Sequence, residues 1–256
     1  MERPPLRTTW LLHRRELGLL LAAYAAMVAV WSTIGWALTG PLDGTSLERE
    51  DEQAVRWFAE RRTPRWDTLS LVGSWLSETI VKIVVTTIVC LLLLKLVRRW
   101  LEPLVVAGSL VLEAMVFITT TKIVGRPRPD VPRLESSPVG SSFPSGHVAA
   151  AVCYAAIAIV IFWHTRNRWA RGVAVVVTAL VPVIVGAARM YRGMHHPSDV
   201  VAGLLIGVTC VVVVTSVLRN AEHRRQSELT SRHDDEVRRS TVAERQPALT
   251  RGGAAP

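Results

Sequence analysis

His147 and His195 each stand where a polar loop gives way to a long apolar run. Ser145 and Gly146 just before His147 are residue types that open helices, and the unpaired amides of a first turn, with the positive end of the helix dipole, make an anion site. A histidine in that turn can protonate a leaving oxygen. By itself it reads more readily as an interfacial polar residue, and its company is what favours chemistry. His195 lies four residues before Asp199, a spacing at which the carboxylate accepts from the imidazole and fixes its tautomer. The other ring nitrogen is then free to attack phosphorus. His196 lacks that spacing. The plainer reading of this stretch is a polar turn, with Pro197 opening the next helix.

Arginines surround both histidines: Arg126, Arg128 and Arg133 in the loop 125–145, and Arg189 and Arg192 in 189–199. Guanidinium groups stay charged and grip phosphate oxygens in pairs, so a convergent set forms a phosphate pocket. Attraction to lipid headgroup phosphates is the alternative.

The elements that must position these residues are membrane helices. Half of the 256 residues are apolar, and they fall in six runs, about 17–38, 77–97, 103–123, 147–163, 172–188 and 200–218. Runs of about 20 match the roughly 30 Å hydrocarbon core. The expected fold is all-α, a bundle of six transmembrane helices. The net charge of +9 raises nucleic acid as a partner, but its placement argues against that. Arg14 and Arg15, then Lys95, Arg98 and Arg99, then Arg166, Arg168 and Arg171, then Arg219, Arg224 and Arg225 occupy alternate loops, which predicts cytoplasmic termini. The two arginine-bearing loops with the histidines then share the opposite face, where that rule gives arginine no place. A secretory signal over 17–38 is the competing reading of the first run.

The intervening stretch 39–76 predicts an interfacial helix outside the membrane, opened by Thr45 and Glu48 as a capping box and ended by Pro64; a solvated loop is the alternative, because Glu48, Glu50, Asp51 and Glu52 avoid anionic lipid. Residues 1–16 read as a cytoplasmic N-terminus, 17–218 as the membrane domain and 219–256 as a disordered cytoplasmic tail. Cys90, Cys153 and Cys210 lie inside apolar runs and indicate no disulfide framework. Lys82 and Glu113 are expensive in hydrocarbon and should face water or a partner, including each other.

Three ordered blocks complete the picture: Lys122-Ile-Val-Gly-Arg126-Pro-Arg128-Pro129, Pro144-Ser145-Gly146-His147, and Ala188-Arg189 with His195 and Asp199. They resemble the signature of the type 2 phosphatidic acid phosphatases, a family that shares its fold with the vanadium haloperoxidases. The resemblance covers about 120–200 by motif. It implies hydrolysis of a lipid phosphomonoester or pyrophosphate through a phosphohistidine, with His195 as nucleophile, His147 as acid and Asp199 orienting His195. Lys122, Arg128, Ser145, Gly146 and Arg189 would bind phosphate, with no metal or other cofactor. Two departures stand out. The lysine is one residue closer to the second arginine than the family has it, so Thr121 takes its place, Lys122 points about 100° away, and Arg126 becomes a candidate for its task. Ala188 replaces the family's serine. A non-catalytic lipid-binding or transport protein and a vanadate-dependent haloperoxidase are the rival functions. The partners expected are a lipid phosphate and membrane lipid; the identity of that lipid and the oligomeric state are not encoded in these motifs.

Overall fold

The computed structural model describes residues 13–137 and 139–245, and among them the regular secondary structure is all helix. The helices are α1 (Arg14–Leu38), α2 (Ser46–Glu60), α3 (Pro64–Trp75), α4 (Thr79–Leu96), α5 (Leu101–Val124), α6 (Gly146–Cys153), α7 (Ala155–His164), α8 (Arg168–Tyr191) and α9 (Pro197–Arg245). Six stretches are long and apolar enough to cross a membrane: α1, α4, α5, the pair α6 and α7 taken together, α8, and the first part of α9. They match the six apolar runs. Exposed Ile80, Leu91 and Leu96 show α4 presenting its side chains outward, and no residue of α4 is buried.

α5 runs through the centre, packed against α1, α4, α6 and α9. Val105, Val116, Ala149, Ile206, Cys210 and Val214 meet in the core around it. Apolar side chains gain little by leaving lipid for protein, so close backbone approach holds such helices together. α6 and α9 achieve that approach through glycine. A Cβ on Gly203 would lie 2.4 Å from the carbonyl oxygen of Ser145, and one on Gly207 would lie 2.5 Å from that of Ala149. These contacts seat the first turn of α6 directly against the first turns of α9.

The region 39–76 carries two helices rather than one. α2 begins after Thr45, where expected, but without the capping box: the Thr45 hydroxyl donates to the Leu42 carbonyl, and the Glu48 carboxylate accepts from the Gly44 amide. α3 follows with Pro64 at its first position and the Thr63 hydroxyl accepting from the Trp66 amide. Neither lies free at an interface. Asp51 and Val55 of α2 are buried, and Gly73 of α3 lies against Ala188 and Ile184 of α8.

The expectation of disorder after Leu218 does not hold for 219–245, which prolong α9. That segment contains neither glycine nor proline, and a helix already nucleated in the membrane extends without a further nucleation cost. Arg224 pairs with Glu16 of α1, and Glu222 pairs with Arg99, so its first turns are anchored. Residues 246–256 and 1–12 lie outside the described region. The suggested pairing of Lys82 with Glu113 does not form: both carboxylate oxygens of Glu113 are buried without a hydrogen-bond partner.

Candidate active site

The C-terminal end of α5, the start of α6, the end of α8 and the start of α9 meet at one end of the bundle. Gly35 of α1 touches Val124 there. Both arginine-bearing loops therefore share a face. α2 and α3 fold over it, fixed by Arg62, which donates to the carbonyls of Tyr191 and Pro132, and by the Tyr191 hydroxyl, 2.7 Å from Asp67 Oδ1.

His195 is buried, and its Nδ1 lies 2.6 Å from the carbonyl oxygen of Ser142. A carbonyl only accepts, so Nδ1 carries the proton and Nε2 keeps its lone pair. Burial first, and then the Arg189 charge, hold the imidazole pKa well below its ordinary value despite the Asp199 carboxylate. The site thus contains a neutral, oriented imidazole, the state a nucleophile needs.

The Asp199 carboxylate is 3.9 Å from His195, beyond hydrogen-bond reach. It accepts instead from the amide and Nδ1 of His196, at 2.8 and 3.1 Å, and from Arg126 Nη1 at 2.6 Å. The expectation that Asp199 would grip His195 and not His196 is therefore corrected. The reason is local: Gly193 at φ +72 turns the chain so that the Ser142 carbonyl reaches His195 Nδ1 while the His196 ring folds back onto the start of α9. His196 Nε2 is also 3.0 Å from Glu52 of α2. Burial works against its protonation, but the hydrogen bond and charge of Asp199 outweigh that, and its pKa is raised.

Arg126 does not face an anion site either. Nη1 donates to Ser198 Oγ and Asp199, and Nη2 to Asp51 of α2. Burial opposes its charge, yet the Asp199 and Asp51 carboxylates raise its pKa. Arg126 is an internal strut between α2 and α9; removing one partner from so buried a pair costs about 3–5 kcal/mol. Lys122 is exposed, whereas Thr121 is buried with its hydroxyl unpartnered. α5 stays regular to Val124, so the one-residue displacement turns the lysine away, and Lys122 is corrected as a phosphate ligand.

Arg128, Arg189 and Ser145 converge with the histidines. Arg128 donates only to neutral acceptors, the Met194, Val139 and Ser141 carbonyls and Ser137 Oγ, and its buried Nε has no partner. Burial, with the nearby charges of Arg189 and Arg133, brings its pKa down to about 10. Arg189 Nη1 contacts Ser74 Oγ and Glu135, and its Nε is likewise unpartnered. Ser145 is fully buried with a free Oγ. Three orphaned buried donors and an uncompensated guanidinium form a cradle for an anion. Gly146 opens α6 where a Cβ would sit 2.7 Å from the Phe117 ring, so any larger residue would have to displace that ring. His147 follows it, Nε2 3.3 Å from Glu78 Oε2. Ala188 packs against Gly73, which accounts for a small residue there.

Sequence reasoning missed Glu135, which bridges Arg189 and Arg192, the Ser142 carbonyl, Ser74 of α3, Glu78, and the Asp51 and Glu52 pair. The available signal was charge balance: buried arginines demand carboxylates, and the acidic run 48–52, although distant in sequence, was a supply of them. Among the described residues no group of three His, Cys, Asp or Glu side chains is placed to hold a metal ion.

The chain is 27% identical over 137 residues to the bacitracin transport permease protein BcrC of Bacillus licheniformis, a match covering 48% of this chain and 63% of that protein. It is 31% identical over 123 residues to the decaprenylphosphoryl-5-phosphoribose phosphatase of Mycobacterium tuberculosis, covering 47% and 62%. These matches span less than two thirds of either relative. The fold is shared with the transmembrane PAP2-type phosphatidylglycerolphosphate phosphatase of Bacillus subtilis, at a TM-score of 0.63 and 17% identity over 83% of this chain and 98% of that one. Aquifex aeolicus LpxE aligns at a TM-score of 0.50 and 24% identity, over 64% and 93%. Residues 102–222, which hold every block of the signature, match the model of the PAP2 superfamily.

Proposed function

We propose that this membrane protein hydrolyses a lipid phosphomonoester or pyrophosphate through a phosphohistidine on His195. The observation that carries this reading is the neutral, buried His195, its Nδ1 proton given to the Ser142 carbonyl, beside the unpartnered donors of Arg128, Arg189 and Ser145. The phosphate lies among Arg128, Arg189, Ser145 and the Gly146 turn at the positive end of α6. Nε2 of His195 attacks phosphorus, His147 protonates the departing oxygen, and water then cleaves the phosphohistidine. Asp199 acts through His196 and Arg126, fixing the start of α9 rather than His195 itself. Lipid tails remain beside the apolar helices, which favours a lipid over a soluble ester. Polyprenyl phosphates head the list, because the mycobacterial relative is named for a decaprenyl-linked phosphate; phosphatidic acid, phosphatidylglycerol phosphate and undecaprenyl pyrophosphate follow.

The distribution of Arg and Lys between loops sets both termini in the cytoplasm and this pocket on the extracytoplasmic side. The name of the Bacillus licheniformis relative favours one rival, a carrier that grips headgroups without cleaving them. Phosphate release from those lipids by detergent-purified protein separates the two. Wild type releases phosphate, His195→Ala loses about 10⁴-fold or more and His147→Ala about 10²–10⁴-fold. Binding without release in wild type, or near-normal turnover by either variant, excludes the mechanism.

A further inference from the structure

We propose that Glu78 is the positioning residue of the second histidine, its carboxylate holding the Nε2 proton of His147 so that Nδ1 meets the leaving oxygen. This rests on the reading of His147 as the proton donor. Glu78 immediately precedes α4, before the matched region 102–222 and outside all three signature blocks. Its Oε2 nevertheless comes within 3.3 Å of His147 Nε2, 69 residues along the chain.

The surroundings of His147 explain the need. Arg189 of α8, Lys82 one turn further along α4, and His195 of the α8–α9 loop all act on it electrostatically. A ring that must carry a transferable proton among such cations requires an anion at its side. Of the nearby carboxylates, Glu135 is engaged by Arg189 and Arg192, and Asp199 by Arg126 and His196. Glu78 is the one that contacts His147. Its position at a helix N-terminus favours the ionised form. Burial opposes ionisation, but the Thr79 amide, His147 and Arg189 together keep its pKa below the ordinary value.

The proton balance closes over one cycle. His147 begins as the imidazolium, Nε2–H on Glu78. As His195 Nε2 bonds to phosphorus and the P–O ester bond breaks, the Nδ1 proton passes to the leaving oxygen, which departs as the alcohol. His147, now neutral with Nε2–H still on Glu78, takes a proton from the attacking water at Nδ1 while the P–N bond breaks. Inorganic phosphate leaves and the imidazolium is restored.

The test compares leaving groups. Turnover of a prenyl phosphate, whose alkoxide must be protonated to depart, is measured beside p-nitrophenyl phosphate, whose phenolate leaves unaided. Glu78→Gln keeps size and removes charge: about a 10- to 100-fold loss of kcat is expected on the prenyl ester, and less than about 3-fold on the aryl ester. Glu78→Asp recovers part of the loss. The retained aryl activity shows that the protein is folded. Equal losses on both esters, or no loss on the prenyl ester, overturn the proposal. His147→Ala run alongside separates the two failures: if it loses selectively on the prenyl ester while Glu78→Gln does not, only the role of Glu78 falls; if it shows no selectivity, the acid assignment falls with it.

Discussion

A main-chain carbonyl, not a carboxylate, sets the tautomer of His195. That choice has a kinetic consequence. A histidine at its ordinary pKa near 6.5 would be about nine-tenths protonated at pH 5.5, and a nucleophile so protonated would cost about tenfold in rate. His195 is held well below that value by burial and by Arg189, so its neutral form persists as pH falls through 6.5. The expected result is that kcat/KM falls by less than about twofold between pH 6.5 and 5.5; a fall of about fivefold assignable to the free enzyme, the drop from one-half to about one-tenth neutral that an ordinary histidine gives, contradicts the burial argument. The spacing of His195 and Asp199 was legible in the chain, and so was the convergence of arginines on both histidines. The partners were not. A carbonyl has no residue signature, and the carboxylate at four-residue spacing lost His195 to a competing acceptor and turned to His196 and Arg126. The displaced lysine was legible as a warning, and exposed Lys122 beside buried Thr121 fits the rotation that one residue imposes on a regular helix.

At the level of elements, the site depends on how closely α6 approaches α9. Gly203 faces the Ser145 carbonyl at a distance that leaves no room for a methyl group, and the neighbouring backbone cannot turn aside as a side chain would. Gly203→Ala should push the Ser145–His147 turn away from Asp199. We expect a destabilisation of about 1–3 kcal/mol, read as a lower unfolding temperature in detergent, with activity reduced beyond the loss of folded protein. An unchanged unfolding temperature and normal turnover would show that the close contact is dispensable. The membrane helices were readable because lipid enforces long apolar runs. α3 was not, since it has no apolar stripe and is held by what lies under it, Ala188 and Ile184 of α8. The prolonged α9 was missed for the converse reason: composition argued against independent folding, but the segment inherits its nucleus from the membrane.

For the molecule as a whole, the bundle gathers buried and half-buried arginines at one end, while outward-facing apolar side chains suit the rest to lipid. The sidedness proposed from the basic loops is checked by placing a cysteine at the exposed Asp130 position in a background whose three native cysteines, Cys90, Cys153 and Cys210, are replaced by alanine. A membrane-impermeant maleimide should label it in intact cells; labelling only after permeabilisation would invert the topology. The central claim is that the phosphoryl group of a lipid phosphate is transferred to His195, and rapid quenching with a ³²P-labelled prenyl phosphate tests it most directly. The account predicts an acid-labile, alkali-stable phosphoryl label on the wild-type protein, which disappears on further incubation and is absent from His195→Ala; turnover without any label, or a label that survives His195→Ala, would contradict it.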